Sequence, residues 1–189
     1  GKCRAARFGG RFVPGTNRLK LSLFLCDFRR YLIMNIRRAL ESDIPGVNRL
    51  LFQVNQVHHQ GRPDLFKSGG RKYTDSQLVE IFSDDSRPVF VAENENGQVL
   101  GYAFCMFQQH IDDNILTDVK TLYIDDICVD EECRGQHIGR RLYDYVIDFA
   151  RAAGCYNVTL NVWSCNPTAQ EFYEKCGMKP QKTGMEQIC

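Results

Sequence analysis

The stretch "TLYIDDICVDEECRGQHIGRRLYDYVIDFARAA", residues 121–153, decides the fold. Its first nine residues are rich in β-branched and aromatic side chains and read as a strand. Behind them, Ile138, Leu142, Val146 and Phe149 recur at helical spacing. Between lies "CRGQHIGRRL", residues 133–142, with a glycine near each end and an arginine in front. A strand feeding a helix through such a loop leaves unpaired N–H donors and the positive end of the helix dipole facing outward, and these hold phosphate. Arg134 and the Arg140-Arg141 pair add positive charge. No Gly-Lys-Ser/Thr follows, so this is not a P-loop, and the glycine spacing is wrong for a dinucleotide fingerprint. His137 stands mid-loop, where such loops usually carry glycine. Phosphate needs backbone N–H groups, which every residue but proline has. If residue 137 already lies in the first helical turn, its φ is negative and histidine fits. Gly135 and Gly139 are then the glycines the loop depends on.

Outward from this segment the chain is legible. Ile36–Ala39 reads as a strand. Ser42-Asp43 can cap a helix with Pro45 in its first turn and Ile44, Val47, Leu50, Leu51, Val54 and Val57 on one face. A second helix is expected near 74–82. "RPVFVAENENGQVLGYAFCMF" reads as a hairpin turned at Asn96-Gly97. After residue 153, Gly154 ends the helix and "CYNVTLNVW" is a strand. Asn166 opens a short helix that Gly177 stops, and "MKPQKTGMEQI" can form a last strand. The order is β-α-α-β-β-β-α-β-α-β, a mixed α/β fold.

Composition bounds the partners. The chain has 189 residues and a net charge of +1. Residues 1–33 hold eight Lys and Arg against one acid, leaving 16 basic and 22 acidic residues in 34–189, a net of −6. An acidic domain argues against nucleic acid and anionic membrane, and favours cationic partners. No apolar run is long enough to span a membrane. Nine cysteines form no CxxC pair, and several lie in apolar runs, which reads as free thiols in a reducing, cytoplasmic setting. Four histidines without ligand spacing predict no metal site. Residues 1–33 read as an extension apart from the domain at 34–189: a transit peptide, a poorly ordered arm, or translated upstream sequence if Met34 is the natural start.

Residues 34–189 resemble the GNAT superfamily of acetyl-CoA-dependent N-acetyltransferases. The superfamily's loop pattern, Arg or Gln, two residues, Gly, one residue, Gly or Ala, maps to Arg134, His137 and Gly139, with His137 departing. "NPTAQEFYEKCGM" matches a second element through Asn166, Tyr173 and Gly177. The resemblance implies a central, mostly antiparallel twisted sheet with about four helices. It implies that the backbone of Arg134, Gly135, Gln136, His137, Ile138 and Gly139, with Arg140 and Asn166, receives coenzyme A. Pantetheine would pair with the strand at Ile127, Cys128 and Val129, and the acetyl group would lie near Asn161.

An amine must lose a proton to attack a thioester, the developing oxyanion needs a donor, and the departing thiolate needs a proton. Tyr173 fits the last role, as the superfamily's tyrosine at this position does. Asp125 and Asp126, inside an otherwise apolar strand, are the candidate bases. Neighbouring strand residues point to opposite faces, so only one can reach the cleft unless a bulge intervenes. Asp84, Asp112 and Asp113 add acidic surface that would attract a polycation, and His58, His59 and Phe66 could line the acceptor wall. The expected reaction is acetyl transfer to a primary amine of a small polycation: an aminoglycoside, as in antibiotic resistance, or a polyamine. A protein or peptide amine is the alternative acceptor, and a non-catalytic coenzyme A-binding module the alternative of another class. A homodimer through the last strand is left open.

Overall fold

The computed structural model describes residues 34–189, and the reading of residues 1–33 lies outside them. The described residues form five strands and four α-helices: β1 Met34–Arg38, α1 Ile44–Gly61, α2 Asp75–Ser83, β2 Val89–Asn94, β3 Val99–Gln108, β4 Thr121–Val129, α3 Ile138–Ala152, β5 Asn157–Leu160 and α4 Pro167–Lys175. One-turn 3-10 helices at Glu41–Asp43 and Glu131–Cys133 precede α1 and follow β4. The sheet order is β1-β2-β3-β4-β5. The first three pairings are antiparallel, and β4 pairs with β5 in parallel. A parallel pair needs a crossover, and α3 supplies it.

Alternation along the strands sorts the core into two layers. Val89 and Val91 of β2, with Tyr102 and Phe104 of β3, meet Val47, Leu50 and Leu51 of α1 and Leu78 and Ile81 of α2. Their neighbours Phe90, Ala103 and Cys105 point the other way, onto Tyr143, Val146 and Ala150 of α3. Burying each large apolar side chain in these layers contributes about 1.5–3 kcal/mol. Gly101 shows how closely α3 approaches. A Cβ there would lie 2.8 Å from the Cys128 carbonyl and 3.0 Å from Leu142 Cδ1.

Three local readings change. Four residues, 95–98, separate β2 from β3; the Asn94 N–H donates to the Gln98 carbonyl at 3.1 Å, which leaves a three-residue turn, 95–97, closed by Gly97 at φ +73. Asp43 stands at the N-cap of α1 but does not cap it. Its carboxylate instead takes two hydrogen bonds from Arg37 (2.7 and 3.0 Å) and one from the Leu40 N–H (2.8 Å). Burial opposes its ionisation, but the Arg37 and Leu40 hydrogen bonds outweigh that and hold its pKa below the usual range. The expected last strand is absent among the described residues, so the order ends on α4. Pro180 lacks a donor, the residues from 179 onward are all exposed, and Met185 and Ile188 bury too little to fix a register.

Candidate active site

The site is built by one irregularity. In the β3–β4 ladder Phe104 faces Asp126 and Cys105 faces Ile124, so Asp125 is an extra residue. Before it, Leu122 and Ile124 point toward α3; after it, Ile127 and Val129 do. The bulge shifts the alternation by one residue and turns Asp125 and Asp126 toward the same layer. Their partners confirm the direction. Tyr102 Oη donates to Asp126 Oδ2 at 2.7 Å. Tyr73 Oη and Lys72 Nζ donate to Asp125 Oδ2 at 2.8 and 2.7 Å. Tyr73 packs 5.3 Å from the Phe104 ring, in the α1–α2 layer.

The two carboxylates differ. Burial pushes the Asp126 pKa up. The Tyr102 hydrogen bond and the charge of Lys72 pull it down, and Asp125 pushes it up again, leaving it raised. Asp125 is partly buried and ion-paired to Lys72. Burial, followed by the Asp126 charge, pushes the Tyr173 hydroxyl up. That hydroxyl has no hydrogen bond among the described residues, although the ring is fixed against Phe172 and Tyr143. Burial and nearby aspartates push the Cys105 and Cys128 thiols to about 12, unsuited to nucleophilic thiolate chemistry at neutral pH.

Beside the bulge the sheet opens. β5 pairs only with Thr121–Ile124. β4 continues through Val129, so among the described residues no strand covers that edge along Asp125–Val129. Ile127, Cys128 and Val129 pair on their other side with Ala103, Tyr102 and Gly101. At the end of β4, Asp130 is buried and ion-paired to Arg49. It also accepts from Gln53 Nε2 (3.2 Å) and the Glu132 N–H (3.3 Å). Thus α1 clamps the start of the loop to α3. Gly135 has φ +78, and no side chain caps α3, whose first N–H groups at Ile138, Gly139 and Arg140 have no acceptor within the helix. Arg134 ends the preceding 3-10 turn and Gln136 is exposed. Arg140 pairs with Asp144 at 2.9 Å and Ile138 is buried.

His137 departs from its expectation. Its φ is +58, so it is the left-handed N-cap of α3 and lies outside the first helical turn. A side chain there carries about 1–2 kcal/mol of backbone strain. Gly139 is helical, and a Cβ there would make ordinary 3.5 Å contacts with Phe172 and Val129. Of 137 and 139, the position that favours glycine for its backbone is therefore 137, while Gly135 at φ +78 meets its expectation. We expect His137→Val to be less stable than His137→Gly by about 1–2 kcal/mol, because a β-branched residue fits φ > 0 worst. Urea denaturation midpoints would measure the gap, and equal midpoints would contradict the strain.

The α1 side supplies an aromatic wall. His58 stacks on Phe66 at 4.9 Å, and Phe66 meets Trp163 edge-on at 5.3 Å. His59 Nδ1 engages the Phe66 carbonyl at 2.7 Å and so fixes the loop. His58 Nδ1 is buried without a hydrogen-bond partner. Burial lowers the His58 pKa; the Asp126 charge acts against this and Lys72 with it. Asn161 donates to Tyr123 Oη at 3.1 Å, and Asn166 caps α4 by accepting from the Ala169 N–H at 3.2 Å. The other acidic residues stand apart. Asp84 is taken up by the Ser86 N–H and hydroxyl. Asp113 accepts from the Ile115 and Leu116 N–H groups, and Asp112 lies beside it in the exposed β3–β4 loop at φ +55. Among the described residues no hydrogen bond or ion pair links any of the three to the partners of Asp125 and Asp126. Among the described residues no group of three or more His, Cys, Asp or Glu could hold a metal ion.

The profile of the acetyltransferase (GNAT) family matches residues 54–178, across the bulge, the loop and α4. The chain belongs to the GNAT family of acetyltransferases. It is an acetyltransferase enzyme, and members of this family take the acetyl group from acetyl-CoA. A mutant of the BH1408 protein from Bacillus halodurans is 31% identical, with a TM-score of 0.79 over 82% of this chain and 99% of that one. Glucosamine 6-phosphate N-acetyltransferase from Arabidopsis thaliana is 27% identical over 107 residues, 57% of this chain and 68% of the relative. The aminoglycoside acetyltransferase meta-AAC0020 from an uncultured soil metagenomic sample, solved with sisomicin, shares the fold. Its TM-score is 0.63 at 18% identity, over 84% of this chain and 97% of that one.

Sequence reasoning missed Lys72, Tyr73, Tyr102, Trp163 and the Arg49–Asp130 clamp. Each partner pair is 50 or more residues apart in sequence except Tyr102–Asp126, and none carries a local pattern.

Proposed function

We propose that this GNAT acetyltransferase acetylates a primary amine of a small cationic acceptor that presents its amine on a sugar-like ring. The observation that carries this reading is the bulge at Asp125, which turns two carboxylates to one side of β4 where β5 leaves it. One carboxylate can hold the acceptor's ammonium while the other takes its proton. Asp126, with its raised pKa, suits the base, and Asp125 the anchor. Acetyl-CoA, when bound, supplies an acetyl group activated as a thioester. The uncapped N-terminus of α3, with Gly135 before it, suits a pyrophosphate, and the open edge of β4 at Ile127–Val129 suits an amide-bearing chain. A backbone N–H of that edge would face the carbonyl oxygen as negative charge develops on it. The free hydroxyl of Tyr173 would give its proton to the departing sulfur.

The His58–Phe66–Trp163 wall favours a ring over a linear polyamine, because apolar C–H faces pack on aromatic faces. Two similar proteins support the amino-sugar ring: one is named for glucosamine 6-phosphate and the other was solved with an aminoglycoside, of which only the aminoglycoside is a polycation.

Release of free coenzyme A thiol, measured across amino sugars and their phosphates, aminoglycosides, linear polyamines and peptides, tests the proposal. Amino sugars or aminoglycosides should turn over fastest. Preference for a peptide would replace the acceptor, and no turnover on any amine despite acetyl-CoA binding would remove the mechanism. Tyr173→Phe should lower kcat about 10²-fold with acetyl-CoA affinity unchanged. An unchanged rate takes Tyr173 out of the proton transfer.

A further inference from the structure

Among the described residues one lysine or arginine is ion-paired to the carboxylate pair, and it is a primary amine. Lys72 Nζ lies 2.7 Å from Asp125 Oδ2, the oxygen that also accepts from Tyr73. The Asp126 carboxylate is charge-coupled to Lys72, to His58 and to Tyr173, so the amine shares one electrostatic cluster with the proposed base and the proposed proton donor. Neighbouring Arg71 is committed elsewhere, to Asp75. Tyr73 and the Thr74 cap of α2 fix the chain after Lys72, and the pair to Asp75 holds Arg71 just before it, so the freedom lies in the Lys72 side chain. Before it runs "SGG", residues 68–70, with Gly69 at φ +66 and open space around it. The side chain is 42% exposed, so it can leave and return.

The geometry points to Lys72 as an internal acceptor: its amine occupies the place on Asp125 proposed above for an external ammonium, and it is itself acetylated when the enzyme is loaded and no acceptor competes. This rests on the proposed role of the carboxylate pair. In the step, the Lys72 ammonium gives one proton to the carboxylates and its nitrogen bonds to the acetyl carbon. The carbon–sulfur bond breaks, and the second nitrogen proton is lost as the sulfur gains one. Amide, free thiol and one released proton are the products. Acetyl-Lys72 carries no charge and cannot hold Asp125, so the modification vacates the anchor for an external cation. Unmodified Lys72 acts as a competitor that a cationic acceptor must displace.

The test incubates the full chain with acetyl-CoA and no acceptor, then maps acetyl-lysine by mass spectrometry over time. Exposed Lys175, Lys179 and Lys182 report non-enzymatic acetylation in the same molecules. Lys72 should be acetylated at least tenfold faster than these three. Tyr173→Phe and an excess of a working acceptor should each slow Lys72 alone. Lys72→Gln, which mimics the neutral product, should lower KM for a cationic acceptor, whereas a lysine that merely supports Asp125 would raise it. If Lys72 is acetylated no faster than the three controls while external amines turn over, the inference is overturned and the proposed function stands. If neither Lys72 nor any external amine is acetylated although acetyl-CoA binds, both fall.

Discussion

Asp126→Asn is expected to lower kcat/KM by about 10²–10⁴-fold, the span of a lost general base. The substitution keeps the shape of the side chain, and its amide oxygen still accepts from the Tyr102 hydroxyl, so the β3–β4 ladder and Tm should hold. Asp125→Asn should instead raise KM more than it lowers kcat, because Asp125 is proposed to anchor the ammonium. The pH profile provides a separate reading. Burial raises the Asp126 pKa, so the acid limb of kcat/KM should lie above the usual carboxylate range. The Tyr102 hydrogen bond favours the ionised form and pulls that pKa down. Removing it with Tyr102→Phe should therefore move the acid limb to higher pH. A loss under tenfold in Asp126→Asn, with the limb unmoved in Tyr102→Phe, would assign the base elsewhere.

The largest stability effect is expected at Asp130. The residue is buried and holds Arg49, Gln53 and the Glu132 N–H together, which ties α1 to the end of β4. Asp130→Ala leaves the Arg49 guanidinium and the Gln53 amide without that partner. Breaking a buried ion pair costs about 3–5 kcal/mol, but Arg49 reaches solvent, so about 2–3 kcal/mol is expected. Asp130→Asn, which keeps an acceptor, should cost less. The pH dependence has a definite sign. Burial works against ionisation, but the Arg49 and Gln53 hydrogen bonds outweigh it and the folded pKa is lowered. The contribution is complete above the unfolded carboxylate pKa of about 3.9 and is lost as pH falls through the lower folded value. The gap between wild type and Asp130→Ala, read by chemical denaturation, should therefore narrow only in strong acid. Affinity for acetyl-CoA should also fall, since the loop to α3 begins at this clamp. Wild-type stability in Asp130→Ala would show that the clamp contributes nothing.

The strand–loop–helix, the helical faces and the hairpin were legible in the sequence because each rests on local spacing: period two in β2 and β3, and recurrence every three or four residues in α1 and α3. The family was legible for the same reason. Its marks, residues 134–139 and 166–177, are contiguous and set by backbone geometry at helix starts and ends. The last strand misled because a short polar run with Met and Ile is compatible with a strand, yet a strand forms only where a partner edge and a core face reward it. His137 misled because loop length decides whether residue 137 precedes the helix or begins it, and loop length is fixed by where Asp130 and Ile138 are anchored.

The acidic pair marks the boundary between the two kinds of information. The sequence shows two carboxylates in an apolar strand, with alternation permitting only one at the cleft unless a bulge intervenes. The bulge that turns both to one side arises from the register of β4 on β3, a pairing between segments some 20 residues apart. Lys72, Tyr73, Tyr102 and Trp163 reach the site through contacts of the same non-local kind. Local periodicity thus determined the elements, the fold class and the family. Strand register and packing alone decided which carboxylates share a face, which hydroxyls they hold and which amine lies against them.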